Sequence, residues 1–271
     1  MPVRAGWCGR GFEWSPDRRR SSQQGKSRLK LIRHGLLALV ALALPAQIAV
    51  AVAPARDWSK VAQRMPSGAY LQGNPAARVH LVEYLSLTCS HCAHFEGEGI
   101  GPLTAKYVRP GLVSYEVRHA LRDGLDLAGS QIARCRGPQS FFALLPKVFA
   151  QQTDWISRAQ ASERTEQLDG LSPDQLLPKI ARGAGFDQLF GMSQAAMDSC
   201  LANQTERTLL TTQADQAWQG TKISGTPAFM INGAYRDDIG EWPQLDAALA
   251  AALHTRSAPQ SHPLPRKTRR K

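Results

Sequence analysis

Cys89-Ser90-His91-Cys92 follows directly on the apolar run Val79 to Leu87, and this stretch decides the fold. A nearly continuous apolar run of this length is typical of a strand that is covered on both faces of a sheet. A helix that begins at the first cysteine leaves unpaired backbone N–H groups and its positive dipole end facing that sulfur, which favours a thiolate. Two spacer residues also bring the sulfurs close enough to bridge. The stretch therefore predicts a strand-to-helix site that exchanges electrons between sulfurs.

A second informative fragment lies far downstream, where Gly225-Thr226-Pro227 precedes the apolar residues 228–231. Proline fixes its own φ and is the residue that tolerates a cis peptide bond, so we expect a rigid turn before a short strand. An ordinary trans turn proline is the alternative interpretation. A rigid loop beside the cysteines would keep the backbone groups of Thr226 available to an extended substrate segment, strand against strand.

The charge of the chain is concentrated at its two ends. The 271 residues carry a net charge of +11, but residues 1–51 hold nine Lys and Arg against two acids, and residues 254–271 hold six against none. The region between them has 18 basic and 20 acidic residues. A nearly neutral central region argues against nucleic-acid binding, while 43% hydrophobic content is sufficient for a globular core.

The N-terminal segment has the order of an export signal. Basic residues at 28–33 precede the apolar stretch Gly35 to Leu44, which is followed by Pro45 and by small residues up to Ala51. We expect residues 1–51 to be a signal peptide with a basic extension, cleaved after Ala51. The alternative is an uncleaved membrane anchor over Leu36 to Val52, since about 17 residues is near the minimum for a span.

The cysteines divide into two pairs once the signal is set aside. Cys8 falls in the removed segment, and four cysteines remain in the exported part. The Cys-x-x-Cys spacing selects Cys89 with Cys92, so Cys135 with Cys200 is the hypothesised structural disulfide. Two buried free thiols are the alternative for that second pair.

Strand-like and helical patterns alternate along the rest of the chain. Strands are expected at 79–87, 112–118 and 228–232, and helices at 92–107, with a break near its glycines, and at 242–253. Residues 123–205 form a helical block between a first part, 52–122, and a second part, 206–253. The basic, proline-containing tail 254–271 is expected to be disordered. Glu96 and Glu98 on the active-site helix are expected to form a solvated acidic face.

Over about residues 66–253 the chain resembles the exported bacterial DsbA-like proteins, a branch of the thioredoxin-like disulfide oxidoreductases. The resemblance rests on the order of the motifs: a strand with Val-Glu-Tyr, Cys-x-His-Cys, a helical insertion, Gly-Thr-Pro before Phe-Met-Ile-Asn-Gly, and a closing helix. The resemblance implies an α/β, thioredoxin-like fold with a helical insertion domain. It also implies that Cys89 is the attacking cysteine, that Cys92 is the resolving one, and that His91 favours the Cys89 thiolate. Ser90 departs from the proline that the best-known relatives have at this position.

Two further roles follow from the same resemblance. Glu83, six residues before the first cysteine, would be a buried acid that accepts the proton of the resolving thiol, although an acid in an apolar strand can also face solvent at a sheet edge. Pro227 would be the cis-proline that faces the disulfide.

The implied function is that of an exported, periplasmic oxidase. Stabilising the thiolate makes the disulfide oxidising, so the protein would give its disulfide to reduced, unfolded exported polypeptides through a mixed disulfide. The implied partners are these clients and a membrane reoxidising protein of the DsbB type, with no cofactor. The short lead-in before the first turn favours a monomer over an isomerase with an N-terminal dimerisation domain.

Two other functions remain as alternatives. One is a disulfide isomerase or reductase built on the same site. The other is a metal-binding module in which Cys89, Cys92 and His94 hold zinc or copper. The sequence offers no second ligand cluster, and we therefore predict no metal.

Overall fold

The apolar run before the cysteines forms the central strand of a six-stranded sheet in the computed structural model, which describes residues 56–255. Six of the seven residues of this strand are buried. The predicted signal peptide over 1–51, the alternative anchor and nearly all of the predicted tail lie outside the described residues. The last helix extends to His254, so the predicted start of the tail falls on a helical residue.

The sheet is mixed, with one parallel pair at its centre. Its spatial order is β1-β2-β4-β3-β5-β6, where β3 and β4 are parallel and all other neighbours are antiparallel. The strands are β1 (Ala62–Arg64), β2 (Tyr70–Gln72), β3 (Val79–Leu85), β4 (Val113–His119), β5 (Ala228–Ile231) and β6 (Ala234–Arg236). Because β3 is flanked on both sides, its carboxyl end delivers the cysteines from the middle of the sheet.

The predicted active-site helix is divided into three pieces. It begins at Ser90, two residues earlier than expected, as α1 (Ser90–Glu98), and continues as α2 (Ile100–Leu103) and a π-helical turn, Thr104–Val108. The break falls at Gly99, which is the C-cap of α1. A β-carbon there would lie 2.5 Å from the Phe95 ring, so glycine allows the close approach.

Seven helices lie between β4 and β5 and form the helical insertion. They are α3 (Gly124–Arg134), α4 (Pro138–Ala150), α5 (Gln152–Glu163), α6 (Pro173–Ala184), α7 (Phe186–Phe190), α8 (Gln194–Leu201) and α9 (Gln204–Asp215). A second π-helical turn, Gln216–Thr221, continues α9, and α10 (Trp242–His254) closes the chain. The predicted boundary between 205 and 206 falls within the first turn of α9, so a single helix joins the insertion to the second part of the sheet domain.

Several elements differ from the sequence expectations for local reasons. Helix α6 continues through the internal Pro178, although a proline in a helix interior removes one backbone hydrogen bond. The strands β1, β2 and β6 are three residues each, too short to show an alternating pattern. No helix within residues 56–255 combines the length and apolar character needed to cross a membrane.

Candidate active site

Cys89 is the N-cap of α1, as the position of the motif predicts. Its backbone is extended, with φ −87° and ψ 122°, and its side chain is 4% exposed. The helix therefore begins at the sulfur-bearing residue, and the first N–H groups of the helix face the sulfur. The Sγ atom also lies 3.1 Å from the carbonyl oxygen of Thr226, which accepts a hydrogen bond from the thiol.

These neighbours make Cys89 the acidic thiol of the pair. Hydrogen bonds from the Cys92 thiol, from the Thr226 side chain and from the backbone N–H groups of Cys92 and His91 lower the pKa of Cys89 to about 4, against the opposing effect of burial. An ordinary cysteine pKa is about 8.5. At neutral pH the first sulfur is therefore a thiolate whose charge is held by four donors.

Cys92 has the opposite character. Its side chain is 1% exposed, and burial, the hydrogen bond it donates to Cys89 and the nearby Glu83 charge raise its pKa well above the ordinary value. Neither cysteine is part of a disulfide in the structure. Such a pair consists of one ready thiolate and one protonated thiol that needs a proton acceptor before it can react.

Glu83 lies in the interior of the sheet and not at an edge. It is 2% exposed, opposite Val117 on β4 and Phe229 on β5. Burial, with a smaller contribution from the Cys89 charge, raises the pKa of its carboxyl group to about 7 against the opposing effect of the hydrogen bond from Tyr115. A carboxyl group with that pKa can both take and give a proton near neutral pH.

Two residues beside Glu83 were missed or misjudged from the sequence. The buried Tyr115 of β4 donates its hydroxyl hydrogen bond to Glu83 Oε2. Glu96, expected on a solvated acidic face, is half-buried, and burial followed by the Glu83 charge raises its pKa to about 8. The expectation for Glu96 was wrong because Glu96 lies on a side of α1 that the rest of the fold partly covers.

The Thr226–Pro227 peptide bond is cis, and both residues are half-buried next to the cysteines. The loop borders a cavity of about 390 Å³ that also has His91 and His94 on its wall. The sheet brings this loop to the cysteines because β5, which starts at Ala228, pairs with β3 at Tyr84.

His91 supplies its backbone N–H to the Cys89 sulfur, while its imidazole is exposed. Within the described residues no hydrogen bond joins that imidazole to Cys89. The predicted effect of the His91 side chain on the thiolate therefore stays a prediction.

A family model described as thioredoxin matches residues 67–251. The chain belongs to the thioredoxin family. Among solved structures, this thioredoxin-family chain is similar to a protein-disulfide isomerase from Novosphingobium aromaticivorans, with 32% identity, a TM-score of 0.64, and coverage of 72% of this chain and 100% of that one. It also matches α-DsbA1 of Wolbachia pipientis with 20% identity and a TM-score of 0.56, over 70% of this chain and 93% of that one.

A curated relative from Rickettsia conorii is named as a candidate protein-disulfide oxidoreductase. It is 28% identical over 66% of this chain and 59% of its own length, so the match spans about three fifths of that relative. Together these matches confirm the thioredoxin-like fold, and the helices between β4 and β5 correspond to the helical insertion of the DsbA fold, as the resemblance implies.

The second cysteine pair of this thioredoxin-family chain is a disulfide in the structure. Cys135 is the C-cap of α3 and Cys200 lies in α8, with Cα atoms 5.8 Å apart. The bond joins α3 to α8 and so links two helices of the insertion. Cys89 and Cys92 are the free cysteines among residues 56–255.

Within residues 56–255, no group of three or more His, Cys, Asp and Glu side chains is placed to hold a metal ion, and the expected absence of a metal stays a prediction. His94, the third ligand in that alternative, lies on the exposed face of α1, where its Nε2 atom is 3.7 Å from Glu98 Oε2 of the same helix.

Proposed function

We propose that this protein is a DsbA-type protein-disulfide oxidoreductase that donates a disulfide to reduced, unfolded polypeptides. One observation carries the proposal: Cys89 is the N-cap of α1 with its Sγ atom 3.1 Å from the Thr226 carbonyl oxygen, while Cys92 is buried in the first turn of the same helix. This arrangement lowers the pKa of Cys89 to about 4 and raises that of Cys92 well above its ordinary value. A fold that favours the thiolate favours the reduced form, and electrons move onto it from a client.

The exchange runs in two steps from the oxidised protein. A client thiolate attacks Cys89 Sγ, a client–Cys89 bond forms, the Cys89–Cys92 bond breaks, and Cys92 leaves as a thiolate. A second client thiolate then attacks the client sulfur of this mixed disulfide and Cys89 leaves as the stabilised thiolate. The client loses two electrons and gains a disulfide, and the cysteine pair gains the two electrons.

Glu83 is the proposed proton partner of Cys92. In its neutral form, below a pKa of about 7, its carboxyl group gives a proton to the departing Cys92 thiolate. In the reverse direction the ionised carboxylate accepts that proton when Cys92 attacks the mixed disulfide, which is the role expected from the sequence.

The Thr226–Pro227 loop is the proposed contact for the client backbone. In the structure the Thr226 carbonyl oxygen accepts a hydrogen bond from the Cys89 thiol, and ionisation of Cys89 removes that donor. An extended client segment can then supply a backbone N–H in its place. Backbone pairing of this kind does not depend on client side chains.

Export, partners and assembly complete the proposal. The signal-like segment 1–51 supports export to the periplasm, where reduced exported chains are the clients and a DsbB-type membrane protein reoxidises Cys89 and Cys92. We propose a monomer that works without a cofactor.

An isomerase is the second candidate function, because the Novosphingobium structure, 32% identical to this chain, is named as a protein-disulfide isomerase. Both functions use the same cysteines and differ in which redox form the protein holds. An isomerase needs Cys89 reduced so that it can attack a wrong client disulfide, whereas an oxidase needs the Cys89–Cys92 bond.

A redox equilibrium with glutathione tests the direction. The fraction of reduced Cys89 and Cys92 is measured by thiol trapping and mass spectrometry, in a Cys135→Ala/Cys200→Ala background so that a single pair responds. We expect a potential much closer to about −120 mV, typical of a strong oxidant, than to about −270 mV, typical of a reductant. A potential near about −270 mV would contradict the oxidase function and favour a reductase.

The proposed role of His91 has its own test. We expect His91→Ala to raise the pKa of Cys89, because the variant keeps the backbone N–H and loses only the imidazole. Thiolate absorbance of Cys89 against pH measures the shift, and Ser90→Ala at the neighbouring exposed position is the control. An unchanged titration would mean that the Cys92 thiol, Thr226 and the backbone N–H groups stabilise the thiolate without the His91 imidazole.

A further inference from the structure

The turn that joins β3 to the catalytic helix is buried but lies outside the sheet. β3 ends at Leu85, and Ser86, Leu87 and Cys89 are all buried. Within the turn, the N–H of Cys89 donates to the Ser86 carbonyl oxygen at 3.2 Å. The backbone N–H and carbonyl groups of Leu87 have no strand partner, and buried backbone groups without a partner are costly.

Asp126 of α3 pairs with the N–H of Leu87. Its Oδ1 atom accepts that bond at 2.9 Å, and its Oδ2 atom accepts the N–H of Arg122 at 3.2 Å. The side chain is fully buried and also receives the Ser130 hydroxyl at 3.3 Å. A buried carboxylate that is used in this way is fixed in place, because each of its oxygens has a donor.

Gln152, the first residue of α5, pairs with the carbonyl groups. Its Nε2 atom donates to the Leu87 carbonyl oxygen at 2.8 Å and to the Cys89 carbonyl oxygen at 2.9 Å. The side chain is buried, with 6% of the residue exposed. One amide group thus spans the turn and ends on the catalytic residue itself.

The Cys89 carbonyl group is held from two sides. It accepts the Gln152 amide and also the N–H of Ala93, the first hydrogen bond of α1. The orientation of this carbonyl group fixes ψ of Cys89 at 122°, and with it the direction from the N-cap sulfur to the N–H groups of the helix.

We propose that Asp126 and Gln152 are positioning residues, by which the helical insertion holds the Ser86–Cys89 turn so that Cys89 keeps its place at the N-cap of α1. The inference deepens the proposed function and rests on it. Loosening the turn lets the Cys89 sulfur move away from its N–H donors, so the thiolate becomes less stable and the disulfide less oxidising. The insertion would then tune the chemistry of the site and not only cover it.

Gln152→Met tests the proposal, because methionine keeps the volume of glutamine and removes both donated hydrogen bonds. We expect the thiolate of Cys89 to be destabilised about three- to tenfold, seen as a higher pKa in its absorbance titration and as an equal shift of the glutathione equilibrium. Asp126→Asn keeps one acceptor oxygen and loses the other, and it should shift the Cys89 pKa and the glutathione equilibrium in the same direction as Gln152→Met. Gln160→Met, on the exposed side of α5, is the matched control and should shift neither.

The readouts separate positioning from simple structural support. A Gln152→Met protein that is less stable to urea but has an unchanged Cys89 pKa and glutathione equilibrium would overturn the proposal. If that variant fails to fold, Asp126→Asn decides in the same way. A wild-type Cys89 pKa near 8.5 would overturn both the proposed function and this inference, whereas a wild-type value near 4 with unmoved variants overturns the inference alone.

Discussion

At the scale of single residues, the neighbours of Glu83 decide when its carboxyl group holds a proton. Burial raises the pKa to about 7, and the Tyr115 hydroxyl group, which donates to Oε2, opposes that rise. The apolar strand sequence indicates an acid that is costly to bury, but the phenol that stabilises its charge comes from β4, 32 residues later. A contact between strands therefore sets the pH range of the proton transfer that is proposed for Glu83.

Tyr115→Phe should move the pH dependence of disulfide donation to higher pH. Without the hydroxyl donor the pKa of Glu83 rises above about 7, so the neutral form, which gives its proton to Cys92, persists to higher pH. The measurement is the stopped-flow rate at which a small thiol reduces the oxidised protein across pH 5 to 9, corrected for ionisation of that thiol.

Two other variants complete this test. In the Glu83→Gln variant the reduction rate should be lower, and the rate profile should no longer change near pH 7, because glutamine has no proton to give. Tyr107→Phe, whose hydroxyl group donates to Asp246 away from the cysteines, is the control and should keep the wild-type profile. Identical profiles for wild type and Glu83→Gln would remove Glu83 from the mechanism.

At the scale of the elements, Gly99 permits the bend of the active-site helix. An added β-carbon would lie 2.5 Å from Phe95, whose ring packs on Phe229 of β5 with centroids 4.9 Å apart. The Phe95 ring cannot move away without disturbing the strand that follows the Thr226–Pro227 loop. A small residue at this position is therefore required by contacts between helix and sheet.

Gly99→Ala should destabilise the protein by about 1–3 kcal/mol, because the methyl group overpacks a filled core. Gly97→Ala is the matched control on the same helix, since its added β-carbon meets no atom within 4 Å, and should stabilise by about 0.5–1 kcal/mol. Urea unfolding of the three proteins measures both changes. Equal stabilities of the two variants would contradict the packing argument.

The Cys135–Cys200 disulfide should stabilise the insertion through the chain it closes. The two residues are 65 apart in sequence, and a loop of that length corresponds to about 4 kcal/mol in the chain-entropy account. We expect the double variant Cys135→Ala/Cys200→Ala to lose stability of that order relative to the wild type, measured by urea unfolding without reductant so that the Cys135–Cys200 bond of the wild type stays intact. A loss below about 1 kcal/mol would mean that the unfolded chain is not restrained by this bond.

At the scale of the whole molecule, the proposed chemistry couples folding to the redox state. The pKa of Cys89 is about 4 in the folded reduced protein and about 8.5 in an unfolded chain. A lowered pKa contributes stability that is fully present above the unfolded value and is lost as the pH falls towards the folded value. The oxidised protein has no Cys89 thiol, so it lacks this contribution.

The reduced protein should therefore be the more stable form at pH 7, with the difference falling by about 1.4 kcal/mol per pH unit between pH 8 and pH 4. Burial also raises the pKa values of Glu83, Glu96 and Asp126, but these groups are present in both forms and largely cancel in the difference. Urea unfolding of both forms across this pH range measures the difference, in the Cys135→Ala/Cys200→Ala background so that only the Cys89–Cys92 pair changes its redox state. An oxidised form as stable as the reduced one at pH 7 would refute the activated thiolate.

The sequence by itself determined the chemistry of the site and the order of the fold. A buried strand, Cys-x-x-Cys at a helix start and a distant Thr226–Pro227 turn are local patterns, and local patterns follow from backbone geometry and burial that a few neighbouring residues specify. The position of Cys89 at an N-cap agrees with the local pattern. The burial of Glu83 and the cis form of the Thr226–Pro227 bond agree with what the resemblance to the DsbA branch implies.

Only the tertiary structure decided which side chains surround that chemistry. Tyr115, Asp126 and Gln152 reach the site across 32 to 65 residues of chain, and each is an ordinary polar residue in its own segment. The half-burial of Glu96 likewise depends on what packs over α1. Hydrogen bonds and burial of this kind arise when separate elements pack together, so the spacing of residues along the chain carries no signal for them.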